Sequence, residues 1–286
     1  MSTDLAHLVD LAPTGRADGG RAAYRTTISP VFTIGDKVHG GSIQMIVAEA
    51  ARRAVHDLGG ADRDGVTALA IASDFLAAPD PADVDVEVTL VKTGRTVSLA
   101  RVDVVQGGRT AVTSTVTLGR LDTGEPVHRG ANRASDLPVE PPADIPDIYT
   151  TPVGQVVHLG QAIENVILLD EFPALRGETG EPVVRGWTRP RDADDLPDVV
   201  RAGYPILVCD LSPPVVMNLG MFGWAPTVQL TTYLRRVPAP GWLRFAASST
   251  EVGAGMFAED HVVLDSTGAL VAQSRQLALI PAESRP

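Results

Sequence analysis

Two adjacent glycines after a histidine, in the run His39-Gly40-Gly41-Ser42, could polarise a carbonyl group. Apolar residues at helical spacing follow them, and the first amides of a helix point outward without intrahelical partners. Because glycine has no β-carbon, a ligand can approach this backbone closely, and amides aimed at a developing oxyanion promote acyl transfer. The same two glycines could also simply make a tight turn into the helix.

Such chemistry also needs a group that positions a water and takes its proton, and acidic side chains can serve. Glu49 follows the glycines on the predicted helix, where the alternative is a surface ion pair with Arg53, four residues later. Asp74 lies within a predicted strand, and a solvent-facing position would explain it equally well. Asp210 precedes Ser212-Pro213-Pro214, which we interpret as the first turn of a second helix that Asp210 would cap.

Other catalytic classes lack their motifs. There is no Gly-x-Ser-x-Gly elbow, no phosphate-binding P-loop and no dinucleotide fingerprint. No Ser or Cys with a positioned His partner can be recognised in the sequence, so the expected nucleophile is water. No His, Cys and acid cluster has metal-ligand spacing, which argues against a metal site.

Hydrophobic periodicity predicts the elements that carry these residues. Apolar residues recur from Ile43 to Ala54, with Gln44 and Glu49 on the other face, which predicts an amphipathic helix of about four turns closed by Gly59-Gly60. Alternating residues then predict strands at 84–90 and 112–118, with a less regular strand between them at 96–105. We therefore expect a strand, a helix and four strands in an antiparallel meander, which is an α+β unit.

The chain contains this pattern twice. Each half has a glycine-containing run, an apolar strand, a turn and another strand, and the runs that correspond are 94–98 with 253–257, 106–108 with 265–268, and 74–76 with 232–234. A duplicated unit of this size predicts two copies of one fold that share a sheet or an interface. The ligand site is then expected between the copies.

A proline-dense segment, Asp136 to Pro152, separates the halves. Proline fixes φ and removes a donor, so neither a helix nor a central strand is expected there. We predict an N-terminal unit at 1–135, an extended linker at 136–152 and a C-terminal unit at 153–286. A second Pro-rich stretch, Arg189 to Pro197, is expected to form a loop before the second helix.

The motif order resembles a known fold. A helix entered through His39-Gly40-Gly41-Ser42, followed by Ser73-Asp74-Phe75-Leu76 and by the run 94–98, resembles a hotdog domain, in which a sheet wraps a central helix. The second half, with its runs at 226–231 and 270–276, is similar to the C-terminal hotdog of the acyl-CoA thioesterase II (TesB-like) family. The resemblance implies an α+β double hotdog that hydrolyses acyl-CoA to a free fatty acid and coenzyme A.

The resemblance also implies an Asp, a Thr and a Gln that hold the attacking water. Carried over residue by residue, they fall on Gln229, Thr250 and Gln276. Because an amide cannot accept a proton from water at neutral pH, Gln229 would remove a general base worth about 10²–10⁴ in rate. Asp210 or Glu49 would then have to replace it. The alternative function is an acyl-CoA or acyl-carrier-protein binding protein without catalysis.

We expect substrate contacts at the glycine turn and at two further motifs, namely at His39, Gly40, Gly41, Asp74, Gly94 and Arg95. No cofactor is implied beyond the coenzyme A of the substrate. The hydratase branch of the hotdog fold uses an Asp and a His at the start of the helix. Asp36 and His39 are close in sequence, but their neighbours do not follow that pattern.

Composition limits the partners and the compartment. The formal net charge of −11 over 286 residues argues against nonspecific attraction to nucleic acid or to anionic membranes. No apolar run reaches transmembrane length, and residues 1–15 do not resemble a signal peptide. A single cysteine, Cys209, excludes an internal disulfide framework and fits a reduced cytoplasm. We also expect a homodimer, because hotdog sheets usually pair edge to edge.

Overall fold

One long antiparallel sheet wraps two central helices in the computed structural model, which describes residues 4–15, 17–58 and 63–282. The helices are α1 (Asp4–Leu8), α2 (Gly40–Leu58) and α3 (Asp198–Val208). The strands of the first half are β1 (Ala12–Pro13), β2 (Arg21–Thr27), β3 (Thr33–Ile34), β4 (Lys37–Val38), β5 (Val66–Phe75), β6 (Asp83–Lys92), β7 (Ser98–Gln106) and β8 (Arg109–Arg120). Those of the second half are β9 (Ile163–Ile167), β10 (Val183–Pro190), β11 (Thr227–Leu234), β12 (Leu243–Ser248), β13 (Met256–Leu264) and β14 (Leu270–Leu279).

The strand order confirms the predicted duplication. The sheet runs β1-β2-β6-β7-β8-β5-β11-β14-β13-β12-β10-β9. Read outward from the centre, β5-β8-β7-β6-β2 and β11-β14-β13-β12-β10 are the same arrangement, and β5 pairs with β11 where the halves meet. The predicted meander of four strands was wrong in one respect. Only β6, β7 and β8 follow one another, because β5 pairs with β8.

Helix α2 is buried on both sides, so the polar face predicted for this amphipathic helix is largely covered. The sheet covers one side and α3 the other, so Gln44 and Glu49 of the predicted polar face are 0% and 5% exposed. Gln44 reaches the second half, where its Nε2 donates to Leu230 O at 2.9 Å and its Oε1 accepts from Thr232 Oγ1 at 2.7 Å. Gly59-Gly60, the predicted end of the helix, lie outside the described residues.

Helix α3 is shorter than α2 and ends before Asp210. It spans 11 residues against the 19 of α2 and carries Pro205 in its last turn. Proline removes a helical hydrogen bond, and Pro213-Pro214 prevent the helix from resuming at once. The chain instead turns through residues 209–214 into a short 3-10 helix, Val215–Leu219. The prediction that a second helix begins after Asp210 was therefore wrong, because Asp210 follows the helix that it was expected to cap.

The proline-rich segment between the halves has no α-helix or strand from residue 136 to residue 152, as expected. It is fastened to the second half, however, since Trp187 Nε1 donates to Pro138 O at 2.8 Å and Arg244 Nη1 donates to Leu137 O at 2.9 Å. Leu137 is buried with Trp187 and Trp242 in a small apolar cluster. The segment thus packs as part of the second half, while the unit boundaries given above stay a prediction.

Candidate active site

The N-terminus of α2 packs tightly against the second half of the chain. A β-carbon on Gly41 would lie 2.6 Å from Leu207 O, and one on Gly40 would lie 2.7 Å from Asp210 Oδ2 and 3.2 Å from the Phe75 ring. Distances this short are incompatible with a side chain, so both positions require glycine. The Gly41 amide donates to Asp210 Oδ2 at 2.8 Å. Among the described residues the Gly40 amide has no acceptor, which leaves it available to a ligand.

His39 fixes this junction from the first half. The Ser42 amide donates to His39 Nδ1 at 3.2 Å, so Nδ1 is an acceptor and Nε2 carries a proton. That Nε2 donates to the backbone carbonyl of Asp210 at 2.7 Å and lies 3.6 Å from its Oδ2. His39 therefore holds the Asp210 turn against the start of α2.

Asp210 presents a carboxylate in the turn that follows α3, where its side chain is 10% exposed. Burial raises its pKa above the ordinary range for an aspartate, while the nearby His39 and the Gly41 amide act in the opposite direction. The turn is also tied to the sheet, because Ser274 Oγ on β14 donates to Cys209 O at 2.9 Å. Burial raises the pKa of the Cys209 thiol to about 12, which makes it a poor nucleophile at neutral pH.

A second buried carboxylate, Glu259 on β13, lies beside the same turn. Its Oε2 accepts from the Val215 amide at 2.9 Å, and its Oε1 accepts from Ser212 Oγ at 3.2 Å and from Gln276 Nε2 at 3.2 Å. Burial raises the pKa of Glu259 to about 8, and the charge of Asp210 adds to the rise. Since Ser212, two residues after Asp210 in the same turn, donates to Glu259, and Gln276 donates to Glu259 as well, the turn and the two side chains border one polar region.

Sequence reasoning missed Glu259 and its neighbour His261, although a signal was present. Phe257, Glu259, His261 and Val263 alternate along β13, so two titratable groups share the face of two buried apolar residues. Such a face is expected to be apolar, and polar groups on it need partners in the core.

Of the three residues carried over as water-holding groups, the structure brings only Gln276 into this region. Gln276 is paired with Leu230 and faces the core, whereas Gln229 is paired with Leu277 and is exposed. Since neighbouring residues of a strand point to opposite faces, Gln229 and Gln276 lie on opposite sides of the sheet. Thr250 is exposed in the turn after β12, and no hydrogen bond joins its side chain to Gln276 within the described residues.

The remaining predicted residues also lie away from the site. Asp74 is exposed on the outer face, where Gln229 Nε2 donates to its Oδ1 at 2.9 Å. Gly94 and Arg95 precede β7, whose first residue pairs with Leu118 of β8, and Leu118 in turn pairs with Ala68 near the start of β5. Phe75, whose ring lies beside Gly40, is at the other end of β5.

Glu49 lies two and a half turns along α2 from Gly40, by helix geometry about 13 Å. Its carboxylate binds Arg52 and Arg53 at 2.7 Å. The predicted Arg53 contact is present, but it is buried at Glu49 instead of lying on the surface.

The structure also pairs a serine with a histidine, which the sequence did not reveal. Ser212 Oγ lies 2.9 Å from His261 Nε2. Burial lowers the pKa of His261 to about 4, and its Nδ1 has no partner in the described part of the chain. Ser212 also donates to Glu259, so its proton is already engaged. The pair is thus a weak base beside a hydroxyl group held by a carboxylate, unlike an activated serine nucleophile.

The described ranges also lack metal-binding clusters and membrane-spanning helices. No group of three or more His, Cys, Asp or Glu side chains there could hold a metal ion. None of the helices in those ranges combines the length and the apolar character needed to cross a membrane.

Solved structures share this architecture along the whole chain. A protein of Thermobifida fusca assigned as a thioesterase II superposes with a TM-score of 0.77 at 27% identity, covering 97% of each chain. A hot dog fold protein of Alicyclobacillus acidocaldarius gives 0.75 at 19% identity over 99% of each chain. The acyl-CoA thioesterase II TesB2 of Mycobacterium marinum gives 0.70 at 18% identity over 99% of each. The last two show the fold alone, and they confirm the double hotdog.

Sequence comparisons identify the family. The uncharacterized protein Rv0499 of Mycobacterium tuberculosis is 38% identical over 93% of this chain and 95% of its own length. The family model for the acyl-CoA thioesterase N-terminal domain matches residues 27–119, and that for the C-terminal domain matches residues 138–280. The chain therefore belongs to the acyl-CoA thioesterase family and carries both of its domains.

Proposed function

We propose that this protein hydrolyses an acyl-CoA thioester to a free fatty acid and coenzyme A, with water as the nucleophile. One observation carries the proposal: the second half places the Asp210 carboxylate at the N-terminus of α2 in the first half, beside the unpartnered Gly40 amide. A proton acceptor and an oxyanion donor then lie together at the junction of the two hotdogs. Family membership supports the same reaction class.

In the proposed reaction, Asp210 takes a proton from a water whose oxygen attacks the thioester carbonyl carbon. The oxyanion that forms accepts a hydrogen bond from the Gly40 amide, and Gln276 orients the water. The carbon–sulfur bond then breaks, and the leaving thiolate takes the proton from Asp210, which completes the balance. Burial raises the pKa of Asp210 towards working pH, which suits a group that must both accept and return a proton.

The proposal that Asp210 is the base weakens the argument for the alternative function, a binding protein without catalysis. That alternative depended on Gln229 standing where a base was expected, and Gln229 lies on the outer face of the sheet. Asp210 supplies a carboxylate at the junction instead. Localisation in the cytoplasm stays a prediction.

A homodimer also stays a prediction, and its original basis has changed. The edge pairing expected between two chains is already made within one chain, between β5 and β11. A dimer would have to use another surface. Light scattering of the purified chain checks this directly, with a mass twice the 30.1 kDa of one chain expected for the dimer.

The proposal is tested with a panel of acyl-CoAs of increasing chain length, with release of free thiol measured and binding followed by calorimetry. Turnover of at least part of the panel is expected. Binding without turnover would instead identify an acyl-CoA binding protein. Mass spectrometry of the protein during turnover tests the serine route, because an acyl group found on Ser212 would overturn the direct attack by water.

A further inference from the structure

Glu259 and Gln276 make a buried contact whose chemistry depends on the two acceptor oxygens of a carboxyl group. Three groups donate hydrogen bonds to Glu259: the Val215 amide, the Ser212 hydroxyl and the Gln276 side-chain amide. The Val215 N–H and the Gln276 NH₂ group can only donate. Both oxygens of a glutamate carboxyl group can accept hydrogen bonds, whether the group is ionised or protonated, so Glu259 satisfies all three donors. A glutamine carries a donor-only NH₂ group in place of one oxygen and could not accept on both sides.

The other end of the Gln276 amide is held as well. Thr227 Oγ1 donates to Gln276 Oε1 at 3.0 Å, opposite the contact with Glu259 at 3.2 Å. With an acceptor on its nitrogen side and a hydroxyl donor on its oxygen side, the amide has one favoured orientation. Each of its two ends keeps one free hydrogen-bonding position for a water.

The same two residues hold the two ends of one connecting segment. Val215 begins the 3-10 helix after the Asp210 turn, and Thr227 begins β11, so Glu259 and Gln276 bind the two ends of the segment 215–227. Movement of either end would change the contacts that orient Gln276. The titratable groups around Glu259 are His261 on its own strand, Asp210 on the adjoining turn and, beyond them, His39 at the start of α2.

We propose that Glu259 is a positioning residue that fixes the orientation of the Gln276 amide toward the attacking water. This rests on the proposed function, in which Gln276 holds that water. Glu259 has no contact with the reacting atoms in this role and acts only through Gln276.

The test is a double-mutant cycle on acyl-CoA hydrolysis with Glu259→Gln, Gln276→Ala and the double variant. Glu259→Gln is expected to lower kcat about tenfold to a hundredfold, within the range for a buried donor left without an acceptor, with KM changed less than about threefold. In the Gln276→Ala background the same change is expected to have no further effect on kcat. Additive losses would overturn the proposal.

Glu49→Gln is the matched control, because it neutralises another buried glutamate with two arginine partners, on α2 and away from Gln276. It is expected to lower thermal stability while leaving kcat within about twofold, by the additivity of distant sites. An equal loss of kcat in Glu49→Gln would mean that the effect of Glu259→Gln is general destabilisation, and it would overturn the proposal.

A second measurement does not depend on turnover. The side-chain amide signals of Gln276 are found in an ¹⁵N NMR spectrum by their absence in Gln276→Ala. They are expected to be shifted and to lose protection from hydrogen exchange in Glu259→Gln but not in Glu49→Gln. Unchanged signals would overturn the positioning role. If the wild type hydrolyses nothing, the proposed function fails, and these spectra alone decide whether Glu259 orients Gln276.

Discussion

The two central helices differ in how they end, and the proposed site rests on this difference. Helix α2 continues for 19 residues, and its buried Glu49 is neutralised by Arg52 and Arg53. Helix α3 stops after 11 residues, and the turn that follows places Asp210 against the start of α2. The first half thus contributes the helix N-terminus, and the second half contributes the carboxylates and Gln276. Neither half alone contains all the groups of the proposed site.

The largest expected effect is that of Asp210→Asn. The variant keeps the shape of the side chain but cannot take a proton from water, so kcat should fall by about 10²–10⁴. Asp74→Asn on the outer face is the matched control and should change kcat by less than about twofold. The measurement is thiol release from acyl-CoA by the two variants. Equal losses in both, or none in Asp210→Asn, would contradict a site at the junction of the halves.

Gln276→Ala and Gln229→Ala separate the two faces of the sheet. Because only Gln276 faces the core region that contains Asp210, its removal should lower kcat about tenfold to a hundredfold, as for the loss of one oriented hydrogen bond to a charged group. Gln229→Ala should leave kcat within about twofold. Steady-state kinetics on one acyl-CoA compares them. A larger loss in Gln229→Ala would restore the site expected from sequence.

Two glycine variants test where the halves are in tight contact. A β-carbon at Gly41 would lie 2.6 Å from Leu207 O, so Gly41→Ala should lower the free energy of unfolding by about 1–3 kcal/mol through overpacking. At Gly203, within α3, the nearest atom would be Met45 Cε at 3.6 Å. Gly203→Ala should therefore raise stability by about 0.5–1 kcal/mol through helix propensity. Urea unfolding measures both, and equal effects would contradict the contact.

The smallest effect expected is a pH dependence that originates in the second half. The pKa of Glu259 is raised from 4.5 to about 8, so between these values the native state keeps a proton that the unfolded chain has lost. Stability from this group therefore falls as pH rises to 8 and is constant above it. The pKa of His261 is lowered from 6.5 to about 4, so its contribution rises with pH only up to 6.5.

Between pH 6.5 and 8, therefore, the stability contribution of Glu259 changes with pH while that of His261 stays constant. The wild type should lose more stability across this interval than Glu259→Gln does, as measured by urea unfolding at the two pH values. Identical losses would show that Glu259 releases its proton at an ordinary pKa.

The fold was accessible from sequence because it depends on local patterns that occur twice. Alternation and helical spacing located the strands and α2, and the motif order indicated the hotdog. The site was less accessible because its contacts join residues that are far apart in sequence: Asp210 lies 171 residues from His39 and 169 residues from Gly41. The prolines after Val208 were recognised, but they were interpreted as the start of a helix, whereas Pro205 and the turn mark the end of one.

The other differences between the predicted and the observed site depend on which face of the sheet a side chain occupies. The residues around Gln229 in the sequence resemble the family motif. Its pairing with Asp74 and Leu277, however, places its side chain on the outer face of the sheet. Glu259 and His261 had a readable alternation along β13, but a polar pair within an apolar strand gives no indication of which partners it will meet.

The pairing of β5 with β11 inside a single chain affects how the two hotdog units can evolve. When two identical hotdogs associate, every mutation enters both copies, and a change that improves one site alters its twin as well. Covalent fusion removes that constraint, because each copy is encoded separately. One copy could then exchange its catalytic groups for a salt-bridged, continuous helix while the other kept them, at no loss to the shared sheet.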